Sequence, residues 1–441
     1  MKKSLFSSIV FLIAMAVTVS VHAWPSVYPT GTTIYNPDKA FNGYTLFTAG
    51  HNAKKGVEPY ESPATMYLID MNGRVVHTWK LPFETHHGEL RPNGNLVVIC
   101  DDAKAIPGRP GEPPFRIGGA MGWLYELDWD GNIVFQHFDP TMHHDFSFMK
   151  NGNLLYLGWE QVPKELQKKI RGGVKGSEHP GGVMWGTTII EVNKKGEKVW
   201  EWSAVKHWDP ELDIIGPLYS RNEWGHANSV DEMENGDIVF DAKHTDTVYI
   251  VDKKTGKVKW RWGNLAYLDK ETGQIEYKRR TAKDTLGGQH CAHEIPSNLP
   301  GGGNILIYDN GMYADGSRAV EVDPKTSKVV WETPSPRNRG HFSRYISGAE
   351  RLPNGNTLIT SGEHGRLFEV TKDFEIVWEY IHTMPHIFRS HRYAQDFAPQ
   401  FRNLPPAKGP AVPYVSPSGF KMPIAGPSLT MPAKGRNRYQ K

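Results

Sequence analysis

The chain has 441 residues, with 51 Lys or Arg against 48 Asp or Glu, so its formal net charge is only +3. A charge balance so close to neutral gives no reason to expect nucleic acid or an anionic membrane surface as a partner. The many Trp, Tyr and Gly residues indicate a fold of β-strands joined by turns.

Residues 1–23 have the organisation of a secretory signal peptide. Two lysines precede an apolar run from Leu5 to Val21, and a small-residue cleavage pattern ends at Ala23. Removing the two lysines takes the net charge from +3 to +1. We therefore expect cleavage, a periplasmic or secreted mature protein, and no stable membrane insertion. A retained membrane anchor is the alternative.

The rest of the chain alternates two kinds of β-hairpin, and together they make a four-stranded repeat. The first hairpin occurs at residues 40–50, 86–100, 143–158, 226–242, 289–311 and 347–362; the second at residues 66–79, 123–137, 188–202, 248–262, 319–333 and 366–380. Four strands in each repeat of about 50 to 60 residues predict an all-β, six-bladed β-propeller with four-stranded antiparallel blades, spanning residues 24–400. A β-sandwich with similar hairpins is the alternative.

The second hairpin carries a tryptophan near its end in five of the repeats. These tryptophans are Trp79, Trp200, Trp260, Trp331 and Trp378. Large aromatic side chains at one repeated position are most simply explained by packing between neighbouring blades.

The clearest turn is the Asn-Gly dipeptide at residues 235–236, because Gly accepts the positive φ that a tight hairpin needs. If this loop has two residues, strand pairing places Asn228 opposite Lys243. His226 and His244 then lie at the same end of the hairpin.

Three long inserts interrupt the repeats, at residues 101–122, 159–185 and 203–225. Such inserts form either lids around a binding site or packing decoration, and the second is expected to contain one short helix. The tail at residues 401–441 is rich in Pro and Gly, so it is extended, and either disordered or laid along a surface or a neighbouring chain. A homo-oligomer or a protein contact through the tail is left open.

Cys100 and Cys291 are an even number of cysteines in an oxidising compartment, which favours a disulfide. The repeat argues against this pairing, because the two positions lie three blades apart. A disulfide needs Cα atoms within about 7 Å. We therefore expect two free thiols.

Histidines recur at the start of the first strand in four repeats. In a propeller the first strands line the central channel and run in the same direction, so equivalent positions meet at one mouth. The returning strands add Lys243, His244, Asp309 and Asn310. The histidines expected at this mouth are His86, His87, His143, His144, His226, His290 and His293.

The chemistry of this set excludes two common mechanisms. No matched pair of carboxylates is present for glycoside hydrolysis, and no Ser lies in a nucleophile-elbow pattern. Imidazoles, amides and one lysine suit the binding of an anion and the stabilisation of developing charge. A neutral imidazole can also act as the nucleophile.

The sequence resembles the bacterial arylsulfotransferase family over residues 35–395. The resemblance is carried by HHD at 143–145, HANS at 226–229, the Lys243-His244 pair, QH at 289–290, YDNG at 308–311, GAERLPNGNTLI at 348–359 and FRSHRY at 388–393. It implies a six-bladed periplasmic propeller that moves a sulfuryl group from aryl sulfates to phenols, without a nucleotide donor and without a cofactor or metal.

The resemblance also implies roles for individual residues. His290 would be the nucleophile that becomes transiently sulfated, while His144 or its neighbour His143, together with His226 and Asn228, would bind the sulfate oxygens and handle the phenol proton. Lys243 stands where the family has an arginine, which alone can grip a sulfate with two parallel hydrogen bonds. The remaining residues predicted to bind substrate are Lys243, His143, His293 and Asn310, and His293 is also a competing candidate beside His290.

Three other functions are compatible with the pattern. The histidines could bind copper or zinc, although their spacing matches no known ligand motif. The stretch at residues 251–260 is similar to the tryptophan-docking repeat of quinoproteins, but it is clear in only one or two blades. A non-catalytic propeller that binds another protein is the third alternative.

Overall fold

The computed structural model describes residues 30–49, 65–81, 84–101, 110, 115, 117–278, 283–314, 316–334 and 341–413. Within these ranges the chain forms six antiparallel sheets with a four-stranded core, arranged as the six-bladed β-propeller that the repeats predict. The predicted signal peptide at residues 1–23 and the end of the tail, residues 414–441, lie outside the described residues.

The strands of the first half of the chain build the second and third blades, three strands of the first blade, one outer strand of the sixth and the strands of the inserts. In chain order they are β1 Gly31–Tyr35, β2 Gly43–Thr48, β3 Thr65–Ile69, β4 Val75–Lys80, β5 Thr85–Leu90, β6 Leu96–Cys100, β7 Trp123–Leu127, β8 Ile133–Phe138, β9 Met142–Phe148, β10 Leu154–Gln161, β11 Gly172–Val174, β12 Trp185–Val192, β13 Lys198–Ser203, β14 Ile215–Ser220 and β15 Glu223–Trp224.

The second half completes the ring. Its strands are β16 Ala227–Glu232, β17 Ile238–Ala242, β18 Thr247–Val251, β19 Val258–Trp262, β20 Ala266–Leu268, β21 Ile275–Tyr277, β22 His290–Glu294, β23 Ile305–Asp309, β24 Arg318–Asp323, β25 Lys328–Glu332, β26 Gly348–Arg351, β27 Thr357–Ser361, β28 Arg366–Val370, β29 Ile376–Ile381 and β30 Ser390–Ala394.

The first blade is closed by strands from both ends of the chain. Its order is β30-β2-β3-β4, so its innermost strand comes from the C-terminal side. The prediction of a complete first hairpin at residues 40–50 is therefore wrong, because only β2 lies there. Local turn signals do not show the pairing of strands so distant in sequence. At the other end of the chain, β1 adds a fifth strand to the sixth blade by pairing with β29.

The Asn-Gly turn of the fourth blade is one residue longer than predicted. The Met233 N–H donates to the Asp237 carbonyl at 2.8 Å, and the Gly236 N–H donates back to the Met233 carbonyl at 2.9 Å. Gly236 has φ +84°, so the loop is a turn followed by a left-handed glycine. This loop type shifts the register by one residue, and Glu232 pairs with Ile238.

A bulge between Ala227 and Ser229 shifts the same hairpin a second time. As a result, the Lys243 N–H donates to the His226 carbonyl at 3.1 Å. The prediction that Asn228 lies opposite Lys243 is wrong, since Asn228 is the bulged residue.

The repeated tryptophans pack between blades, as predicted. Each indole N–H donates a hydrogen bond to the turn of the following blade, and the last tryptophan reaches the first blade. The acceptors are the Asp128 carbonyl for Trp79, Lys253 carbonyl for Trp200, Ser327 Oγ for Trp260, Lys372 carbonyl for Trp331 and Met71 carbonyl for Trp378.

We expect Trp378→Phe to destabilise the protein by about 1–3 kcal/mol. Trp378 is fully buried, and its bond to the Met71 carbonyl at 2.8 Å joins the last blade to the first. Phe fills less volume and cannot donate this hydrogen bond. The measurement is the free energy of unfolding from urea denaturation. Trp260→Phe is the control, because Trp260 bonds to Ser327 at an exposed position. Equal losses in the two variants would contradict the expectation.

The inserts contain little helix. The insert at residues 159–185 carries one short α-helix, α1 Lys164–Gln167, as predicted, and α2 Ala204–His207 opens the next insert. The 3₁₀ turns are Pro180–Gly182, Lys243–Thr245, Gly362–His364 and Pro399–Asn403. Among the described residues, no helix has the length and apolar character needed to cross a membrane.

The described part of the tail lies along the outside of the propeller. The Tyr44 hydroxyl donates to the Pro405 carbonyl at 2.7 Å, and Val412 pairs with Tyr35. Residues 401–413 thus pack against this chain, and the predicted contact of the tail with another protein stays a prediction. Cys100 and Cys291 are both buried and free, which confirms the prediction for the thiols.

Candidate active site

The innermost strands change register where the histidines lie. The pairing of β5, β9, β16 and β22 is irregular at or next to a histidine expected at the channel mouth. Such bulges turn a side chain out of the regular alternation of a strand. His144 and His226 also have left-handed backbones, with φ 51° and 56°. This conformation costs a non-glycine residue about 1–3 kcal/mol, so the surrounding sheets must hold both residues in place.

Histidines from neighbouring blades meet, as the repeat predicts. The ring centres of His144 and His226 are 4.6 Å apart, although the two residues belong to different blades. His244, on the returning side of the hairpin, stacks on His226 at 4.7 Å, and Tyr219 stacks on His244 at 4.8 Å. We call His144, His226, His244 and His290 the histidine cluster.

Phe388 joins His290 to the other members of this cluster. Its ring centre lies 6.3 Å from that of His290 and 6.4 Å from that of His144. His86 stacks on the same phenyl ring at 5.0 Å. Phe388 comes just before β30, the innermost strand of the first blade, so it occupies the position at which four other blades carry histidine.

The proton of His290 is held on Nδ1. This nitrogen lies 2.9 Å from the Gly288 carbonyl and 2.7 Å from Asn310 Oδ1. The Asn310 amide nitrogen donates to the carbonyls of Ser343 and Ile346, so its oxygen must face His290. Nδ1 therefore donates, and Nε2 carries the lone pair, which accepts the Ile346 N–H at 3.1 Å.

The histidine cluster is electrically neutral. Burial, assisted by the Lys243 charge, holds the pKa of His290 well below its usual range. Burial and the neighbouring His226 do the same to the pKa of His144. Burial and His226 likewise lower the pKa of His244, to about 3. These imidazoles are thus unprotonated acceptors or nucleophiles at neutral pH.

Glu223 orients His226. Its Oε2 lies 2.6 Å from His226 Nδ1, and its Oε1 accepts the Trp159 indole N–H at 3.0 Å. Burial raises the pKa of the Glu223 carboxyl to about 7. Glu223 was not predicted from the sequence, although it stands only three residues before His226. The overlooked signal is a carboxylate beside a histidine at the end of a long insert.

Lys243 supplies the positive charge at the cluster. Burial lowers the pKa of its ammonium group, although Glu223, Asp246 and Asp241 oppose this shift. In the described structure, no acceptor forms a hydrogen bond or ion pair with the ammonium.

The other predicted site residues do not all face the cluster. His143 contacts His144 Nδ1 at 2.9 Å and the Gly158 carbonyl at 3.1 Å, so both of its nitrogens are engaged. Asn228 is fully buried in its bulge. His293 lines a different cavity of the channel and contacts the Cys291 carbonyl at 3.1 Å. Its predicted role in substrate binding stays a prediction.

A buried charge network lies beneath the cluster. Arg389 Nη1 donates to Asp145 Oδ1 at 2.9 Å, and His87 Nε2 lies 2.6 Å from the same oxygen. Asp145 Oδ2 accepts the Val230 N–H at 3.0 Å. Arg389 belongs to the FRSHRY motif, but the sequence analysis assigned it no role because the pairing of β30 was not predicted.

The cluster also contains a set of potential metal ligands. One ligand atom each of Glu223, His226 and His244 lie within 4.8 Å of one another. These residues could hold a metal ion, and the predicted alternative of a multi-imidazole site therefore has a location at the channel mouth.

The chain was compared with known families and structures. It matches the family model described as Arylsulfotransferase (ASST) over residues 61–386. No curated protein matches it. All the solved structures described next have TM-scores below 0.5, so they carry no argument about function.

A protein of unknown function from Bacteroides caccae has 13% identity and a TM-score of 0.46, with 79% of this chain and 98% of that chain covered. Hydrazine synthase from Kuenenia stuttgartiensis has 12% identity and a TM-score of 0.42, with 80% of each chain covered. Virginiamycin B lyase from Staphylococcus aureus has 11% identity and a TM-score of 0.39, with 80% of this chain and 85% of that chain covered.

The family match rests on sequence rather than on these distant structures. It covers well over half of the chain, and its range includes all four members of the histidine cluster as well as Lys243. The chain belongs to the arylsulfotransferase family.

Proposed function

We propose that this protein transfers a sulfuryl group from an aryl sulfate ester to a phenol through a sulfo-histidine intermediate, with no nucleotide donor. Membership of the arylsulfotransferase family supports aryl sulfate transfer at the family level. The observation that carries the residue assignment is His290, a buried neutral imidazole with its proton fixed on Nδ1. A periplasmic or secreted location, following removal of residues 1–23, is part of the proposal.

In the first half-reaction, His290 Nε2 attacks the sulfur of the aryl sulfate. The N–S bond forms while the bond from sulfur to the aryl oxygen breaks, and the phenolate leaves with a proton from the Glu223–His226 pair. The sulfated imidazole carries a positive charge. The Gly288 carbonyl and Asn310 Oδ1 stabilise this charge, because both accept the Nδ1–H.

In this scheme Lys243 binds the sulfuryl oxygens, because its ammonium group is the charged donor at the cluster. A sulfuryl group, like a phosphoryl group, passes through a loose transition state, so positioned donors matter more than a strong base. His144 lies on the third blade, two blades before that of His290. His143 orients the His144 ring through the contact between their Nδ1 atoms.

The second half-reaction needs a base. With Glu223 ionised, His226 donates its Nδ1–H to the carboxylate, and its Nε2 accepts the proton of the incoming phenol. The phenol oxygen then attacks sulfur and His290 leaves with its lone pair restored. Because one product leaves before the second substrate reacts, the kinetics are ping-pong.

Substrate must displace one contact before the attack. The Nε2 lone pair of His290 accepts the Ile346 N–H, and both Ile346 and Ser347 have positive φ, 52° and 86°. Breaking such a hydrogen bond costs about 1 kcal/mol. The backbone around Ile346 therefore has to shift as the sulfate binds.

We expect kcat/KM for the phenol to rise about tenfold per pH unit below pH 7 and to level off above it. Burial raises the pKa of Glu223 to about 7, so the carboxyl is protonated below this pH and His226 is not held as a base. The measurement is the initial rate at subsaturating phenol between pH 5 and 9.

Glu223→Gln should remove this inflection and lower the plateau. Glu160→Gln is the control, because Glu160 is a partly buried glutamate whose pKa is also raised but which contacts Ser203 instead of a histidine. An unchanged inflection in Glu223→Gln would assign the titration to another group.

One assay tests the proposed function itself. The mature protein is given a chromogenic aryl sulfate with and without an added phenol, and both release of the chromophore and formation of the new sulfate ester are followed. Without added phenol, release of the chromophore should stop after the first turnover, and added phenol should allow it to continue. Release at equal rates with and without phenol would indicate hydrolysis, and no release with any aryl sulfate would refute the transferase.

A further inference from the structure

A second group of potential ligands lies in the central channel, outside the histidine cluster. The channel holds a cavity of about 500 Å³ whose lining includes Glu89, Glu350 and His391. One ligand atom each of His87, Glu89 and His391 lie within 4.8 Å of one another. Two imidazoles and a carboxylate are a ligand set that suits zinc and related divalent transition metals.

Both histidines of this group have a carboxylate on one side and an unpaired nitrogen on the other. Nε2 of His87 lies 2.6 Å from Asp145, and Nδ1 of His391 lies 3.6 Å from Glu350. Both ring nitrogens of His87 and Nε2 of His391 are buried and form no hydrogen bond in the described structure. The His87 side chain is only 1% exposed, so an unpaired nitrogen there is costly unless a ligand satisfies it.

A carboxylate behind a histidine is the usual arrangement around a protein-bound metal. It fixes the ring and makes the opposite nitrogen a better donor. Here Asp145 lies 2.6 Å from Nε2 of His87, whereas Glu350 lies 3.6 Å from Nδ1 of His391, which is beyond hydrogen-bond length. The third ligand, Glu89, receives no hydrogen bond from any described residue, and His391 Nε2 lies near its carboxylate.

The distances fit a metal better than a direct ion pair. His391 Nε2 lies 3.7 Å from Glu89 Oε1, which is too long for a hydrogen bond. Two ligand atoms at about 2.0–2.2 Å from a tetrahedral zinc ion lie about 3.3–3.5 Å apart. The pair therefore stands within a few tenths of an ångström of the spacing that one shared ion requires.

We propose that His87, Glu89 and His391 bind a single divalent transition-metal ion, Zn²⁺ or one of similar size, within the channel. The ion enters from the cavity, because the Glu89 and His391 side chains are 22% and 18% exposed. A water molecule from the cavity completes the coordination.

This site has a structural consequence for the propeller. His87 and Glu89 lie on β5 of the second blade, whereas His391 lies on β30, the strand that closes the first blade. A shared metal ion ties the closing strand to the next blade. Bound metal should therefore raise the melting temperature, because ligands that bind only the folded state stabilise it.

The test is a calorimetric titration of ZnCl2 into untagged mature protein stripped with a chelator, combined with melting curves. We expect one equivalent to bind and the melting temperature to rise. Glu89→Gln and His391→Ala should each weaken binding at least tenfold and abolish the rise. Circular dichroism of both variants without metal checks that they fold.

Two control variants locate the ion. His293→Ala removes another histidine that lines the same cavity, and His244→Ala removes a member of the Glu223, His226 and His244 group. Both should bind zinc as the unaltered protein does. Loss of binding in His244→Ala with binding retained in His391→Ala would place the ion at the channel mouth and overturn the proposal. So would the absence of any binding at millimolar zinc.

Discussion

His290→Ala is expected to lower the rate of sulfate transfer by about a thousandfold or more. No other described residue combines a neutral imidazole, a proton fixed on Nδ1 and two acceptors for the charge that forms on sulfation. Without His290 the covalent route is closed, and only direct transfer between the bound substrates remains. The measurement is release of the chromophoric phenol under saturating donor and acceptor.

His293→Ala is the matched control for this variant. Both residues lie on β22, but His293 lines the channel cavity rather than contacting Phe388 and Asn310. We expect it to retain far more activity than His290→Ala, because its predicted role is to bind substrate. A His290→Ala protein with full activity would show that the nucleophile is assigned wrongly. Protein quenched with donor alone should carry one SO₃ group on the peptide containing His290.

The number of blades could be predicted because each blade carries its own turn and packing signals within a short stretch of sequence. A left-handed glycine after Asn marks the tip of a hairpin, and a tryptophan marks the contact with the next blade. The pairing register of the two strands within a hairpin could not be predicted in the same way. The bulges that turn His144 and His226 into the cluster arise from packing between blades, and no local residue preference indicates them.

The candidate site was predicted to the extent that it repeats. Histidines at equivalent positions of several blades could be recognised without a structure, and His144 and His226 do meet. Residues that break the repeat were missed. Phe388 and Arg389 enter the centre because β30 closes the first blade from the far end of the chain. Glu223 comes from an insert that has no counterpart in the other blades.

Asp145→Asn is expected to cost about 3–5 kcal/mol of folding stability at pH 7. Asp145 and Arg389 are 1% and 7% exposed, so the variant leaves an arginine charge in the centre of the propeller without its counter-ion. Burial alone would raise the pKa of Asp145, but Arg389 and His87 outweigh it and the pKa lies below its usual value. The carboxylate therefore stabilises the fold above about pH 4, and this contribution is lost as the pH falls further.

The control for Asp145→Asn is a variant that removes the carboxylate of an exposed ion pair. Lys168 and Glu165 approach to 2.6 Å, closer than Arg389 and Asp145 at 2.9 Å, but they are 68% and 81% exposed. Glu165→Gln should leave the denaturant midpoint unchanged, since water screens the pair. Adding Arg389→Met to Asp145→Asn should recover much of the lost stability by removing the stranded charge. If the double variant is no more stable than Asp145→Asn, the loss comes from the hydrogen bond to Val230 and not from the buried charge.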